Sequence, residues 1–266
     1  MKRINFIRLF AIALCLLLIT AGGLAQTGTD ECRMPAGSAG KDVVWVPTPQ
    51  ATVDAMLDMA KVTPSDYVID LGSGDGRTVI TAAQRGATAL GIEYDTERVA
   101  YAVCDAARKG VSAKATFMEA DLFKTDFSKA TVITMFLLPR INMELRPKIL
   151  DMKPGTRIVS NSFDMEDWKP DQTTTLSSEN CSGWCTAYLW IVPAKVNGTW
   201  KLDNGQIIIE QEFQNISGTM TSSGKDVKFT GKMDGDKISF NAGGTEYNGT
   251  VSGNTISGAG AWKATR

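Results

Sequence analysis

The stretch VIDLGSGDGRTVI, residues 68–80, decides how this chain can fold. A short apolar run leads into Gly72, Gly74 and Gly76, and a helix-like pattern follows them. Because glycine costs about 0.5–1 kcal/mol relative to alanine in ordered structure, three alternating glycines indicate that something approaches this backbone closely. A glycine-rich turn between a strand and a helix is typical of α/β folds in which a ligand lies against the turn.

The pattern around this turn predicts two domains of different class. Over residues 43–196, apolar strands alternate with amphipathic helical segments, which predicts a Rossmann-like, doubly wound α/β sheet. Residues 131–138 form a continuous apolar run, as expected for a strand buried on both faces. Over residues 197–266 helical periodicity is lost and glycine turns recur. This pattern predicts a small all-β antiparallel meander or barrel of about six or seven strands.

The N-terminal residues have the pattern of an export signal. Basic residues precede a long apolar run, and small residues lie just before Gln26. We therefore expect a signal peptide over residues 1–25, with a membrane anchor that tethers the chain as the alternative. Residues 26–42 then form a polar leader. Either alternative predicts that the remainder is exported to the periplasm or cell envelope.

The composition excludes several kinds of chemistry. The chain has 266 residues with 28 basic and 29 acidic side chains, so it lacks the basic excess typical of nucleic-acid binding. It contains no histidine, which excludes histidine-dependent triads and an imidazole base. The cysteines are too irregularly spaced for a zinc site, and we predict no metal. Cys181 and Cys185 flank a short loop and are the best candidates for a disulfide, which export permits.

Carboxylates follow three successive predicted strands. Asp70 ends the first strand, Glu93 ends the second, and Asp121 follows the third. Acids in the glycine turn would repel a pyrophosphate but would attract a cation. Glu93 is placed to accept hydrogen bonds from the ribose hydroxyls, and Asp121 to accept a hydrogen bond from the adenine amino group. S-adenosylmethionine combines adenine, ribose and a sulfonium cation without any phosphate, so these residues predict it as the cofactor.

These residues resemble the first three motifs of the class I, seven-strand S-adenosylmethionine-dependent methyltransferases. A finer resemblance is to the methyltransferases that modify the lysine of the ATP synthase c subunit, and to their bacterial relatives. The segments that carry it are VPTP (46–49), DLGSGDGR (70–77), LLP (137–139), PGTRIVS (154–160) and WKP (168–170). The resemblance implies the fold, the cofactor and protein lysine as methyl acceptor, and it does not cover residues 197–266.

The resemblance also implies roles for individual residues. The residues implied to hold the cofactor are Asp70, Gly72 and Gly74 at its methionine end, Glu93 at the ribose and Asp121 at the adenine. At the end of the fourth strand, Leu138 and Pro139 are the candidates for facing the substrate. No catalytic base is assigned, because a carboxylate, a tyrosine or water can each accept a proton from the acceptor amine.

Other functions remain open from the sequence. A small-molecule methyltransferase fits the same cofactor residues. Because S-adenosylmethionine is made inside the cell, three alternatives stay open: an enzyme that meets the cofactor in the envelope, a cytoplasmic enzyme whose N-terminal segment is not an export signal, or a non-enzymatic envelope binding or scaffold protein built on a methyltransferase fold. In the last alternative, the β-domain would bind an unknown partner.

Overall fold

The structure is a computed structural model that describes residue 32, residues 44–258 and residues 262–266. The predicted signal peptide and, except for Cys32, the predicted polar leader lie outside the described residues. None of the described helices has the length and the apolar surface that crossing a bilayer requires.

A mixed sheet of seven strands carries the first part of the chain. Its strands lie in the order β3-β2-β1-β4-β5-β7-β6. Their bounds are β1 Tyr67–Leu71, β2 Thr88–Glu93, β3 Ala115–Glu119, β4 Val132–Met135, β5 Arg157–Asn161, β6 Gln172–Thr175 and β7 Thr186–Ile191. The first five strands are parallel, whereas β7 runs antiparallel to both β5 and β6. The order 3-2-1-4-5 is that of doubly wound folds, in which a crevice opens where the strand order reverses, between β1 and β4.

Helices cover both faces of this sheet. Their bounds are α1 Gln50–Met59, α2 Arg77–Gln84, α3 Thr96–Arg108 and α4 Pro139–Leu150. Apolar residues of α1, α2 and α3 form one core with the sheet, and those of α4 form a second core on the opposite face. The predicted doubly wound fold is therefore confirmed.

The fourth strand is shorter than the apolar run predicted. Only Val132–Met135 pairs in the sheet, and residues 136–138 leave it at the carboxyl end of β4. These three apolar residues line a cleft at the end of the sheet. A hydrophobic sequence pattern does not distinguish apolar residues that line a cleft from those buried in a strand.

The second part of the chain is a closed antiparallel barrel. Its strands are β8 Gly198–Leu202, β9 Gly205–Glu212, β10 Asn215–Ser222, β11 Lys225–Asp234, β12 Lys237–Ala242, β13 Thr245–Ser252, β14 Thr255–Gly258 and β15 Lys263–Thr265. The described residues thus form eight strands rather than the predicted six or seven. The short β14 and β15 carry too few residues for visible alternation, yet β15 pairs with β8 through Thr265 and Lys201 and closes the ring.

The barrel packs directly against the sheet region within one compact unit. Phe213 stacks on Trp168 with ring centroids 5.8 Å apart, and Gln214 Nε2 donates to the carbonyl oxygen of Lys169 at 2.8 Å. Lys232 lies 3.1 Å from the Asp171 carboxylate. The segment that contains WKP therefore lies between the sheet and the barrel.

Candidate functional site

A cleft opens at the carboxyl ends of β1 to β4 and contains most of the residues that the sequence singled out. Asp70, Gly72, Glu93, Asp121 and Leu138 all line it. The parallel strands explain this convergence, because residues that follow parallel strands meet at one edge of a sheet.

Asp70 is a buried carboxylate near the end of β1. Its side chain accepts a hydrogen bond from Thr134 Oγ1 at 2.6 Å, and only 6% of the residue is exposed. Burial raises the pKa of Asp70 from 3.8 to about 7, the charges of Asp75 and Glu93 add to the rise, and the Thr134 hydrogen bond opposes it. A bound cation would favour the ionised form of this carboxyl.

Close approach to the glycine turn comes in part from the protein's own aromatic side chains. Gly74 and Gly76 have φ values of +54° and +79°, which favour glycine. A Cβ at Gly74 would lie 2.2 Å from Trp45 Nε1, and one at Gly76 would lie 2.7 Å from the Phe117 ring. These glycines are therefore required for backbone conformation and for internal packing, beside any contact with a ligand.

Glu93 joins the end of β2 to the glycine turn. Its Oε2 accepts from the Gly74 amide at 2.8 Å, and its Oε1 accepts from the amides of Tyr94 and Asp95 at 3.0 and 3.1 Å. The buried guanidinium of Arg98 lies 3.5 Å from Oε1. Since a carboxylate oxygen accepts two hydrogen bonds, Oε2 retains one accepting position for a ligand hydroxyl.

Asp121 and Asp75 are held more locally. Asp121 Oδ1 accepts from the Phe123 amide at 3.0 Å, which stabilises the turn that follows β3. Asp75 accepts hydrogen bonds from Arg77 Nε through both carboxylate oxygens, at 3.0 and 2.9 Å. The positive charge of Arg77 therefore compensates the negative charge of this loop carboxylate. Asp121 thus combines a structural hydrogen bond with a position on the cleft wall.

Three aromatic rings form a cluster on the same cleft. Phe136, Phe163 and Trp184, hereafter the aromatic trio, lie after β4, after β5 and before β7. The Trp184 ring centroid lies 5.4 Å from that of Phe136 and 5.6 Å from that of Phe163. Phe136 and Phe163 lie 6.0 Å apart and nearly parallel. All three residues line the cleft.

The aromatic trio was not predicted from the sequence. Phe136 belongs to an apolar run whose pattern predicts burial in the core. Trp184 lies in the loop between the candidate disulfide cysteines, where the sequence gives no sign of its neighbours in space. The two predicted substrate-site residues lie beside this cluster: Leu138 lines the cleft, whereas Pro139 is the first residue of α4 and is not among the described lining residues. Their contact with a substrate stays a prediction.

A disulfide lies next to the cluster. Cys181 and Cys185 are joined in the structure, and the loop that they close contains Trp184. This pair was the candidate that the sequence favoured.

Known proteins resemble the sheet region. A sequence model of the ANTKMT methyltransferase domain matches residues 70–172. A protein-lysine N-methyltransferase from Saccharolobus islandicus (strain REY15A) is 40% identical over 153 residues, which cover 56% of this chain and 94% of the relative. The human lysine N-methyltransferase of the ATP synthase c subunit is 33% identical over 131 residues, or 49% of this chain and 56% of that relative. The chain therefore spans only about half the length of the human protein.

A solved structure resembles the same part of the chain. It is a crystal structure of an RNA methyltransferase from Salinibacter ruber in complex with S-adenosyl-L-homocysteine. The two chains are 44% identical with a TM-score of 0.53, over 57% of this chain and 96% of that one.

The arrangement of the cleft agrees with these similarities. Asp70, Glu93 and Asp121 lie around the glycine turn, and both the turn and these carboxylates fall within the matched residues 70–172. S-adenosyl-L-homocysteine, the ligand of the solved structure, is what remains of S-adenosylmethionine after methyl transfer. Together with the match that covers 94% of the Saccharolobus islandicus relative, this shows that the chain belongs to the same methyltransferase family as that relative, carries an ANTKMT methyltransferase domain and is an S-adenosylmethionine-dependent methyltransferase.

Proposed function

We propose that the chain is a protein-lysine N-methyltransferase. The observation that carries this proposal is a single cleft that is lined both by buried carboxylates and by the aromatic trio. The carboxylates suit the cationic cofactor, and the rings suit a lysine side chain, whose nitrogen becomes cationic as it accepts the methyl group. The lysine specificity stated for the archaeal and human relatives supports the same acceptor.

The cofactor is assigned to Asp70, Gly72, Glu93 and Asp121, whereas Gly74, which is not among the described lining residues, holds Glu93 through its amide. Asp70 is placed to attract the amino group, the free position on Glu93 Oε2 to accept a ribose hydroxyl, and Asp121 to accept from the adenine. Hydrogen bonds to charged groups contribute about 1.5–3 kcal/mol each. The two arginines that line the cleft, Arg77 and Arg98, contact Asp75 and Glu93, so they suit a ligand without phosphate.

The aromatic trio is assigned to the acceptor amine. When bound, S-adenosylmethionine would supply an electrophilic methyl group on a sulfonium, and the acceptor lysine, after its ammonium has given a proton to water, would supply the lone pair that takes this methyl group as the carbon–sulfur bond breaks. Aromatic ring faces attract the positive charge that the nitrogen gains. Phe136, Phe163 and Trp184 also limit the access of water to the approach, and the transfer would leave a methylated ammonium and S-adenosylhomocysteine. Positioning and exclusion of water are the contributions that such a displacement needs most.

A transfer assay tests the acceptor. The full chain is incubated with S-adenosylmethionine labelled in its methyl group, and with poly-L-lysine or poly-L-arginine as matched polymers of equal charge. We expect label on poly-L-lysine alone, and methyl-lysine in its hydrolysate. Envelope protein and total RNA from a strain that lacks the gene serve as natural acceptors. Label in RNA, or label in protein at residues other than lysine, would contradict the proposal.

We also propose that the chain acts outside the cytoplasm. The signal-like pattern of residues 1–25 supports export, and so does the Cys181–Cys185 disulfide, since disulfides persist mainly in oxidising compartments. Alkaline phosphatase fused after residue 30 tests this compartment, because the enzyme is active only after export. We expect active fusions, and an inactive but stable fusion would refute export.

A further inference from the structure

We propose that the loop closed by Cys181 and Cys185 sets Trp184 as the specificity-determining wall of the acceptor site, so that acceptor binding depends on the disulfide while cofactor binding does not. The inference rests on the proposed lysine methylation and assigns a role to a loop that the cofactor residues leave unexplained.

Trp184 has an unfavourable backbone conformation that the fold maintains. Its φ is +58°, a region that bulky residues rarely adopt and that costs about 1–3 kcal/mol. Its side chain is 45% exposed, so burial in a core does not explain the conformation. Such strain at a cleft is typical of residues whose placement serves a ligand.

Two attachments hold this loop in place. The disulfide closes the chain on both sides of Trp184. Independently, Thr52 Oγ1 donates a hydrogen bond to the Trp184 carbonyl oxygen at 3.1 Å and lies 3.7 Å from Cys181 Sγ. Thr52 is fully buried on α1, so it anchors the loop to the body of the sheet region.

The other two rings of the aromatic trio are held by the sheet itself. Phe136 directly follows β4. The Phe163 carbonyl oxygen accepts from Ser160 Oγ at 2.6 Å and from Asn142 Nδ2 at 3.3 Å. Trp184 is thus the member of the trio whose distance from the others depends on the loop. The loop therefore decides whether three ring faces or two are available to an acceptor cation.

Reduction of the disulfide is expected to open this wall. A dithiol such as dithiothreitol supplies two electrons and two protons, so that the sulfur–sulfur bond becomes two thiols and the dithiol becomes a cyclic disulfide. Trp184 then loses the covalent closure of its loop and retains the Thr52 hydrogen bond and its contacts with the rings of Phe136 and Phe163. Asp70 and Glu93 are held by Thr134 and by the Gly74 amide, so the cofactor side is expected to be unchanged.

The test measures binding of an Nα-acetyl-trimethyl-lysine methyl ester, whose single charge is the trimethylammonium group, to the full chain loaded with S-adenosylhomocysteine. The matched ligand replaces the ammonium nitrogen by carbon and is therefore neutral. With ¹⁵N-labelled indoles, we expect the cation to move the Trp184 resonance and to bind about tenfold more tightly than the neutral ligand, as a desolvated cation–π contact predicts.

Variants assign this effect to the loop. We expect Trp184→Ala and the double variant Cys181→Ser/Cys185→Ser to bind the cation about fivefold more weakly, because only the Phe136 and Phe163 faces remain, so that most of its advantage over the neutral ligand is lost. Ser182→Ala, which keeps both cysteines and the tryptophan, is the matched control and should bind like the unmodified chain. Calorimetry with S-adenosylhomocysteine should give affinities within about twofold for all variants, which also shows that they are folded.

Two results would overturn the inference: equal affinity for the cationic and neutral ligands, or full cation affinity in the double serine variant. Failure of the lysine proposal is a separate outcome. In that case poly-L-lysine receives no methyl group although the loop-dependent binding of the cation persists.

Discussion

The sheet region, residues 44–191, and the barrel, residues 198–265, bury different kinds of side chain. Within the described residues, every buried charged side chain lies in the sheet region: Asp66, Asp70, Asp75, Glu93, Arg98 and Asp105. The barrel encloses apolar and aromatic residues such as Trp200 and Phe240. Among the described residues of the barrel, the one buried polar side chain is that of Gln214, which lies between β9 and β10 and donates to the Lys169 carbonyl oxygen of the sheet region.

We infer from this difference that ligand binding belongs to the sheet region. Burying a charged group costs free energy unless it is paired and hydrogen-bonded, so buried carboxylates mark positions at which a fold accepts a cost for a function. A closed ring of strands with an apolar interior pairs its own backbone and exposes no edge. The barrel is therefore expected to contribute stability, and the sheet region both stability and binding.

The largest expected effect is that of removing the Glu93 carboxylate. Glu93→Ala leaves the buried Arg98 guanidinium without its Glu93 partner and several amides without an acceptor, so we expect a loss of about 3–5 kcal/mol in the free energy of unfolding. We also expect roughly 10- to 150-fold weaker cofactor binding, from the loss of one charged hydrogen bond. Denaturant unfolding and calorimetry measure the two. Glu246→Ala, at an exposed position of the barrel, is the control and should change stability by less than about 0.5 kcal/mol.

A core truncation in the barrel should separate stability from binding. Trp200 is fully buried, and Trp200→Ala is expected to cost about 3–5 kcal/mol of unfolding free energy because it leaves a cavity. The cofactor cleft is lined only by described residues of the sheet region, so the affinity for S-adenosylmethionine should stay within about twofold. Much weaker cofactor binding in the folded variant would break the proposed division between the two regions.

A smaller effect is expected from pH. Because the pKa of Asp70 is raised to about 7, its carboxyl is about one tenth ionised at pH 6 and about nine tenths at pH 8. A cationic ligand favours the ionised form, so its affinity should rise about tenfold over this range and binding near pH 7 should release a proton. Titration calorimetry measures both quantities.

Asp70→Asn is the control for the pH effect. The ionisable groups of the ligand itself contribute the same pH dependence with both proteins. The difference in pH dependence of binding between the variant and the unmodified chain therefore belongs to Asp70. An equal pH dependence in the variant and the unmodified chain would assign the effect to another group.

The smallest effect is expected at the junction of the two regions. Lys232→Ala removes the ion pair with Asp171, in which the lysine side chain is 52% exposed. Exposed pairs contribute less than about 1 kcal/mol, so thermal unfolding should shift only slightly. Lys228→Ala is the control, since this exposed residue of β11 forms no ion pair with the described residues. A large shift for Lys232→Ala alone would show that the junction depends on charge more than on the packing of Phe213 and Trp168.

Much of the sheet region could be predicted from local sequence. Alternation of strands and helices, the glycine turn and the acids after successive strands identified the fold and the cofactor, and both are confirmed. The strand count of the barrel was wrong because β15 has only three residues and is defined by its pairing with β8, which lies far away in sequence. The roles of Asp70, Glu93 and Asp121 in binding stay predictions.

The aromatic trio could not be predicted for a similar reason. Residues 136, 163 and 184 follow or precede β4, β5 and β7, which are neighbours only because of the strand order of the sheet. Each ring by itself has the sequence context of ordinary packing, and only their convergence suggests an acceptor site.

By itself, the sequence determined the features that depend on neighbouring residues: the left-handed glycine turn, the carboxylates at successive strand ends and the change from helical to strand periodicity. Backbone preference and side-chain alternation act over a few residues, so a local pattern carries them. The tertiary structure alone decided the raised pKa of Asp70, the aromatic trio and the closure of the barrel. Desolvation and packing depend on groups that are distant along the chain, and only the folded arrangement brings those groups together.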